Sequence, residues 1–253
     1  GFNLNKIDDY LGVNLNFYQT NQENEDNKTV PFVLPRVKYF SGYNNRFGGT
    51  NDTTLEFYNI FREKNTSTHS QKQQKLSHKY NFNKETINYN SKVLFGAEIY
   101  NQVFNTEKKQ TDENIYRTGS YYRFFPIFGI STETPFKFKN LRYNLTINPK
   151  VHATVSPGMS NSNKISNEDS TNNEFSLENI YRLNRYSGND KMDNSKRISY
   201  GIEAYTDNIK SSISQSYEFT ENSNFHREQG NDNNLSDLLG SIEYLNQNRL
   251  SYN

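Results

Sequence analysis

The sequence predicts an all-β chain: an antiparallel transmembrane β-barrel, present in part, with about 11 strands at roughly 10 residues each. Three observations lead there. Apolar side chains recur at every second position in most segments, as at Leu11, Val13, Leu15 and Phe17, and no segment of useful length repeats at the helical period. Long polar connections alternate with short turns, as in outer-membrane barrels. Aromatic residues recur near strand ends, at Tyr18, Tyr43, Tyr80, Phe82, Tyr100 and Tyr116, where interfacial girdles lie. The general preference of aromatics for strands would explain the same residues without a membrane.

Composition narrows the alternatives. The 253 residues include no cysteine and no tryptophan, but 19 tyrosines and 18 phenylalanines. Without cysteine there is no disulfide, zinc ribbon or thiol catalysis in this segment. Lys+Arg of 29 against Asp+Glu of 28 leaves a net charge of +1, which gives no reason to expect nucleic acid as a partner. Hydrophobic residues make up only 32%, and no apolar run approaches the roughly 20 residues of a membrane helix. Barrel strands escape that objection, because only alternate residues face lipid. Disorder is the competing explanation of low hydropathy, and an aromatic content of 15% argues against it. The chain opens at Gly1 and stops at Asn253 within an alternating run. Residues 1–253 are therefore expected to be a single internal section of a larger barrel domain, an arc of a barrel with an even strand number.

In chain order, residues 10–19 place Leu11, Val13, Leu15 and Phe17 on one face, with Asn14 and Asn16 on the other. A polar loop at 20–29 follows. Pro31 and Pro35 then lead into a strand over 36–43, with proline confined to its start as a sheet requires. Further strands are expected over 53–62, 76–82, 87–99, 116–131, 141–155, 198–205, 209–219 and 238–245, and a last one from near Arg249. Long loops are expected at 63–73, 101–114 and 221–236. Short turns are expected at 44–49, at Asn83-Lys84, and at 132–140 and 207–208. Pro149 removes a ladder donor inside its strand, which predicts a bulge or register break. Val93, Phe95, Ala97 and Ile99 should join Leu11, Val13, Leu15 and Phe17 in an outward apolar band, with Asn88, Asn90 and Glu98 inward.

One stretch carries more than periodicity. It reads Asn167-Glu168-Asp169-Ser170, then Asn179-Ile180-Tyr181, then Asn184-Arg185-Tyr186-Ser187-Gly188-Asn189-Asp190, and closes with Arg197-Ile198-Ser199-Tyr200-Gly201. Four such pieces in this order within about 35 residues, a reach one supersecondary unit spans, resemble the LptD-type lipopolysaccharide-assembly barrels, in a form similar to their alphaproteobacterial branch. The segment around Pro31, Leu34-Pro35-Arg36-Val37 and Tyr39 is also similar to that family. The resemblance implies an outer-membrane protein that inserts lipopolysaccharide into the outer leaflet: transport, with no catalytic residue, cofactor or metal. It implies lipopolysaccharide as cargo, a plug lipoprotein (LptE-like) as partner, and periplasmic bridge components reached through an N-terminal β-jellyroll outside this segment. The barrel-closing strands would also lie outside it. Asn167, Glu168, Asp169, Ser170, Asn179, Arg185, Gly188, Asp190, Arg197, Tyr200 and Gly201 would then be structural or plug contacts.

Other chemistry is weakly signalled. His69, His78, His152 and His226 stand alone, without partners at metal-ligand spacing. The acidic clusters Asp8-Asp9 and Glu23-Asn24-Glu25-Asp26 lack the spaced oxygen pattern of a calcium loop. A general porin or nutrient receptor is the alternative, and it predicts a constriction with opposed acidic and basic clusters. A soluble all-β binding module would instead bury the faces of Leu11/Val13/Leu15/Phe17 and Val93/Phe95/Ala97/Ile99. Arg185 and Asp190 could form a local turn salt bridge or a contact that positions a long loop in the lumen. Loop parity favours one excursion over 157–196, with its aromatic segment 175–183 folded over or into the barrel mouth. Arg185 should pair with Asp190 or Glu168.

Overall fold

The computed structural model describes residues 6–20, 26–44, 48–139, 144–170, 175–220, 231–232 and 234–244. Its strands are β1 (Lys6–Phe17), β2 (Phe32–Asn44), β3 (Thr50–Phe61), β4 (Lys72–Asn88), β5 (Ser91–Asp112), β6 (Ile115–Glu133), β7 (Phe136–Phe138) and β8 (Leu145–Val155). After a long excursion come β9 (Lys196–Tyr205), β10 (Ile209–Glu218), β11 (Asn231–Asp232), β12 (Leu235–Ser236) and β13 (Leu239–Tyr244). All belong to one antiparallel sheet in the order β1-β2-β3-β4-β5-β6-β8-β9-β10-β12-β11, with β7 on β8 and β13 also on β10. No ladder joins β1 to β13 among the described residues, so the sheet is open.

Antiparallel order fixes which connections share an end. The described residues of 18–31, 62–71, 113–114 and 156–195 lie at one end, and those of 89–90, 139–144 and 206–208 at the other. Where residues are described, the expected alternation of long and short holds, except that residues 101–112 are strand and leave a two-residue turn at the long-loop end. β5 and β6 rise as a tall hairpin that turns at Glu113-Asn114, where Asn114 takes φ 57°. The upper part of β5, residues 105–112, is polar on both faces because it rises beyond the roughly 10-residue span of a membrane strand. The turn expected at Asn83-Lys84 is instead at Tyr89-Asn90, since β4 pairs with β5 down to Asn88–Ser91. Tyr89 absorbs the reversal at φ 54°.

Two of the prolines sit where a ladder is interrupted, whereas Pro126 lies within the continuous β5–β6 ladder. Pro35 lies inside β2 rather than before it, at a bulge where the β2–β3 register shifts between Val33 and Arg36. At Pro149 the expected register break does not occur. The β6–β8 ladder stops at Glu133–Lys150 and resumes at Phe136–Ile147 in the same register. Only the bonding lapses, and Thr134 N–H donates to the Pro149 carbonyl at 3.3 Å. The strand expected to begin at 141 starts at Leu145 in β8, and residues 140–143 lie outside the described set, as do the strand expected near Arg249 and most of 221–236.

The two faces differ in kind. Leu11, Val13, Leu15 and Phe17 are 61–68% exposed. The same face continues through Leu55, Leu76, Phe95, Val103, Tyr122, Phe128, Ile130, Val151, Ile202, Ile213 and Ile242, all exposed. Val93, Ala97 and Ile99 complete the β5 row and are partly exposed. The opposite face is polar and buried: Gln73, Lys75 and Ser77 on β4, Gln102 and Thr106 on β5, Arg123 on β6, Ser199 on β9, and Ser214, Ser216 and Glu218 on β10. Asn16 and Glu98 line cavities on that side, as the alternation predicts, whereas Asn88 and Asn90 are exposed at the hairpin turn. The dry clusters lie on the inner face as well. Tyr100, Phe125 and Ile127 pack with Met192 and Leu183, and both of these come from the excursion between β8 and β9.

Candidate functional site

Residues 156–195 form no strand where described, and they cover the polar face. A clasp closes the loop at its base. Ser156 N–H and Oγ both donate to the Ser195 carbonyl, at 2.9 and 3.1 Å, and Ser195 N–H donates to Ser156 Oγ at 2.7 Å. The expected excursion over 157–196 is thus a single loop, except that Lys196 already belongs to β9. β8 pairs with β6, β7 and β9, so segment 175–183 adds no strand beside it.

Two charge clusters fix the loop to the sheet. In the first, Lys75 Nζ on β4 meets Asp190 Oδ1 at 2.5 Å and Asp169 Oδ2 at 3.1 Å. Asp190 also accepts from Tyr58 Oη at 3.1 Å and from the Glu168 and Asp169 amides at 2.7 and 3.2 Å. Glu168 accepts both arms of the Arg62 guanidinium, at 3.0 and 2.5 Å. Arg123 donates to the carbonyls of Asn189 and Asp190 at 2.8 and 2.7 Å. Asp169 ties the two motif pieces together, since its Oδ1 accepts the Asn189 and Asp190 amides at 3.0 and 2.7 Å. A Cβ on Gly188 would overlap the Asp169 backbone, so this crossing requires glycine. Asn167 accepts from Ser170 N–H at 3.0 Å and shapes the turn.

The second cluster centres on Arg185, which is fully buried. It does not pair with Asp190 or Glu168, as sequence proximity suggested. Its Nε and Nη2 donate to Asp193 at 2.5 and 3.1 Å, and Nη2 reaches Glu218 on β10 at 2.5 Å. Arg197 on β9 meets Asp193 at 3.0 Å and donates to the Arg182 and Leu183 carbonyls. Asp190 is unavailable to Arg185 because Lys75 and Tyr58 already hold it.

Between the clusters the loop reaches deep. Asn179 accepts from Ser176 N–H at 3.1 Å and closes one turn of chain. Ser199 Oγ donates to the Ile180 carbonyl at 2.8 Å. Leu183 rests on Gly96 and Gly129, which face each other across β5 and β6. Tyr181 Oη shares a 2.8 Å hydrogen bond with Ser214 over Gly201, where a Cβ would overlap both oxygens. Tyr200 takes no part, because it is on the exposed face and donates to Gln215 at 2.9 Å.

Electrostatics follow from this packing. Burial and the neighbouring Asp169 charge raise the Asp190 pKa against the pull of Lys75. Burial opposes ionisation of Asp169 too, but Lys75, the Ser170 hydroxyl and the Asp190 amide prevail and hold it below 3.8. No group of three or more potential metal ligands occurs among the described residues. The sequence reading missed Lys75, Arg62, Tyr58, Arg123, Asp193 and Glu218. On the strands, the available signal was a charged or polar side chain at an inward position of the alternation.

An open antiparallel sheet with an exposed apolar outer face, a buried polar inner face and an ordered loop on that inner face defines the wall of an outer-membrane β-barrel. No helix is long and apolar enough to cross a membrane among the described residues. The family model described as LptD, LPS transport system D, matches residues 5–253, and the chain belongs to this family. It is accordingly a protein of the bacterial outer membrane with a role in lipopolysaccharide transport and assembly, in a family of transporters rather than enzymes. No curated protein sequence gives a match.

Proposed function

We propose that residues 1–253 form an arc of the barrel through which lipopolysaccharide is inserted into the outer leaflet, with loop 156–195 as a built-in plug of its lumen. The opposition between the two faces of the sheet carries this reading. An apolar surface of this extent is at home against lipid, while the polar face can pass sugars. The backbone groups of β1 and of the β11/β13 edge have no strand beyond them among the described residues. Within a bilayer such edges must be paired, which calls for further strands of the same barrel. The lumen takes the sugar part, a lateral opening between first and last strands releases the acyl chains, and no bond is made or broken. In this arrangement a plug lipoprotein (LptE-like) would share the lumen with the loop, and periplasmic bridge components would deliver the lipid through a separate jellyroll domain. The motif residues Asn167, Glu168, Asp169, Ser170, Asn179, Arg185, Gly188, Asp190, Arg197 and Gly201 hold the plug.

Depleting the protein from cells tests this. Newly made lipopolysaccharide should fail to reach the surface while unrelated barrels still assemble. Unchanged surface lipopolysaccharide on depletion would contradict the reading.

A further inference from the structure

The contact that fastens the plug loop to β4 has the parts of a reaction centre. A lysine amine and a carboxyl group condense to an amide when they are held together, kept dry, and served by a base and an oxyanion site. Lys75 and Asp190 are held in that way. Lys75 Nζ is 2.5 Å from Asp190 Oδ1, so the carboxyl carbon is at most one C–O bond further off. Both side chains are fully buried, and the rings of Tyr58 and Phe104 stand 5.1 and 5.8 Å from the Lys75 nitrogen. Arg123 fixes the backbone here through its 2.7 Å bond to the Asp190 carbonyl. The second carboxyl oxygen, Oδ2, accepts the amides of Glu168 and Asp169 at 2.7 and 3.2 Å and the Tyr58 hydroxyl at 3.1 Å. Two backbone N–H groups and a hydroxyl on one oxygen make an oxyanion hole. Asp169 supplies the base, because its Oδ2 lies 3.1 Å from Nζ. Lys79 and Glu98, by contrast, meet at 3.2 Å with 23% and 21% of their side chains exposed, where water keeps both ionised.

We propose that Lys75 and Asp190 close an intramolecular isopeptide bond that locks the plug loop to the wall. The ion pair is the state before closure, and reversible docking of the loop belongs to that state. Asp169 takes one proton from the Lys75 ammonium and frees the lone pair of Nζ. The amine attacks the carboxyl carbon of neutral Asp190. A C–N bond forms, and the carbonyl electron pair moves onto Oδ2, where the three donors hold it. Oδ1 carries the proton of Asp190, receives the one held by Asp169, and leaves as water as its C–O bond breaks and the carbonyl reforms. Asp169 then takes the surplus proton from the nitrogen. One ammonium, one carboxylic acid and one carboxylate become one amide, one water and one carboxylic acid, and no oxidant or reductant is needed. Burial and the Asp169 charge raise the Asp190 pKa, which favours the neutral carboxyl that is attacked, while Asp169 is held below 3.8 and stays a base. The water leaves past Asp169, whose side chain is 23% exposed and lines a cavity of about 780 Å³ with Tyr58 and Glu168. The bond joins residues 115 positions apart and keeps the loop inside the sheet even when the surrounding ion pairs part.

Mass spectrometry of the full-length protein, extracted from membranes and denatured, tests the bond. The chain should be one water lighter than its mature sequence. Trypsin does not cut after an acylated lysine, so the digest should contain one branched peptide that joins residues 73–79 to residues 186–191. Lys75→Arg keeps the charge but offers no amine. It should have the full mass, and its boiled form should migrate more slowly in gels than the wild type, whose chain stays looped. Asp169→Asn keeps the size but lacks the base, and it should also show the full mass. Heat-modifiable migration of unboiled samples verifies that both barrels fold, and the wild-type digest decides the matter alone where a variant does not. A wild-type digest in which residues 76–79 and 186–191 appear only as separate linear peptides would overturn the proposal. A branched peptide that survives in Asp169→Asn would overturn the part given to Asp169.

Discussion

Lys75 on β4 and Asp190 in the loop, 115 positions apart in sequence, meet at 2.5 Å with both side chains fully buried. A buried ion pair does little for net stability, yet removing one partner strands the other charge at a cost of about 3–5 kcal/mol. Lys75→Met strands Asp190 and Asp169 together. Limited proteolysis of the variant should cut within 156–195, while the barrel keeps its heat-modifiable migration. A loop as resistant as wild type would show that the pair does not hold it.

Arg185 makes the matching link to β10. Arg185→Lys keeps the charge but not the fork that reaches Asp193 and Glu218 at once. Its loop should open to protease nearly as far as that of Arg185→Met. Full protection in the lysine variant would refute the bidentate account.

Leu183 and Gly129 give a steric test. A Cβ on Gly129 would run into Leu183 Cδ2. Gly129→Val should displace the plug, and the double variant with Leu183→Ala should restore much of the protection. Direct contacts couple in this way, whereas distant sites add independently. Simple additivity in the double variant would place Leu183 elsewhere.

Acid should release the loop late. Asp190, with its pKa raised, takes up its proton in the docked state first, so acidification through its range does not weaken docking. Asp169 is held below its ordinary value of 3.8. Its contribution is present above that value and is lost as pH falls through the lower, docked-state value. Protease sensitivity followed with an acid-active protease should therefore stay low down to about pH 4 and rise below it. Release near pH 6 would contradict the assignment.

How much of this was legible in the sequence depends on distance. The β1 and β5 alternations are local, so the outward faces of Leu11 to Phe17 and Phe95 to Ile99 could be read directly. The upper part of β5 could not, because a strand above the lipid has no apolar face and resembles a loop. Asn83-Lys84 resembles a turn by composition, but pairing of β4 with β5 carries the strand past it to Tyr89-Asn90. The motif loop was visible as a unit, and its place on the inner face followed from parity. The partner of Arg185 was not, because chain proximity offered Asp190 whereas the fold brings Glu218 from 33 positions away. Likewise nothing local connects Glu168 to Arg62, 106 positions apart.

The central claim is that one face of this sheet meets lipid and the other meets the plug. These 253 residues contain no cysteine, so single cysteines can be placed one at a time from Val93 to Thr106 on β5. Each would carry a spin label in the full-length protein reconstituted in bilayers, and collision with oxygen and with a water-soluble nickel chelate would be measured. The account predicts a period of two. Labels at 93, 95, 97, 99 and 103 should favour oxygen, and those at 96, 98, 100, 102 and 104 should be shielded from it. Shielding at the odd positions, or no alternation at all, would contradict it.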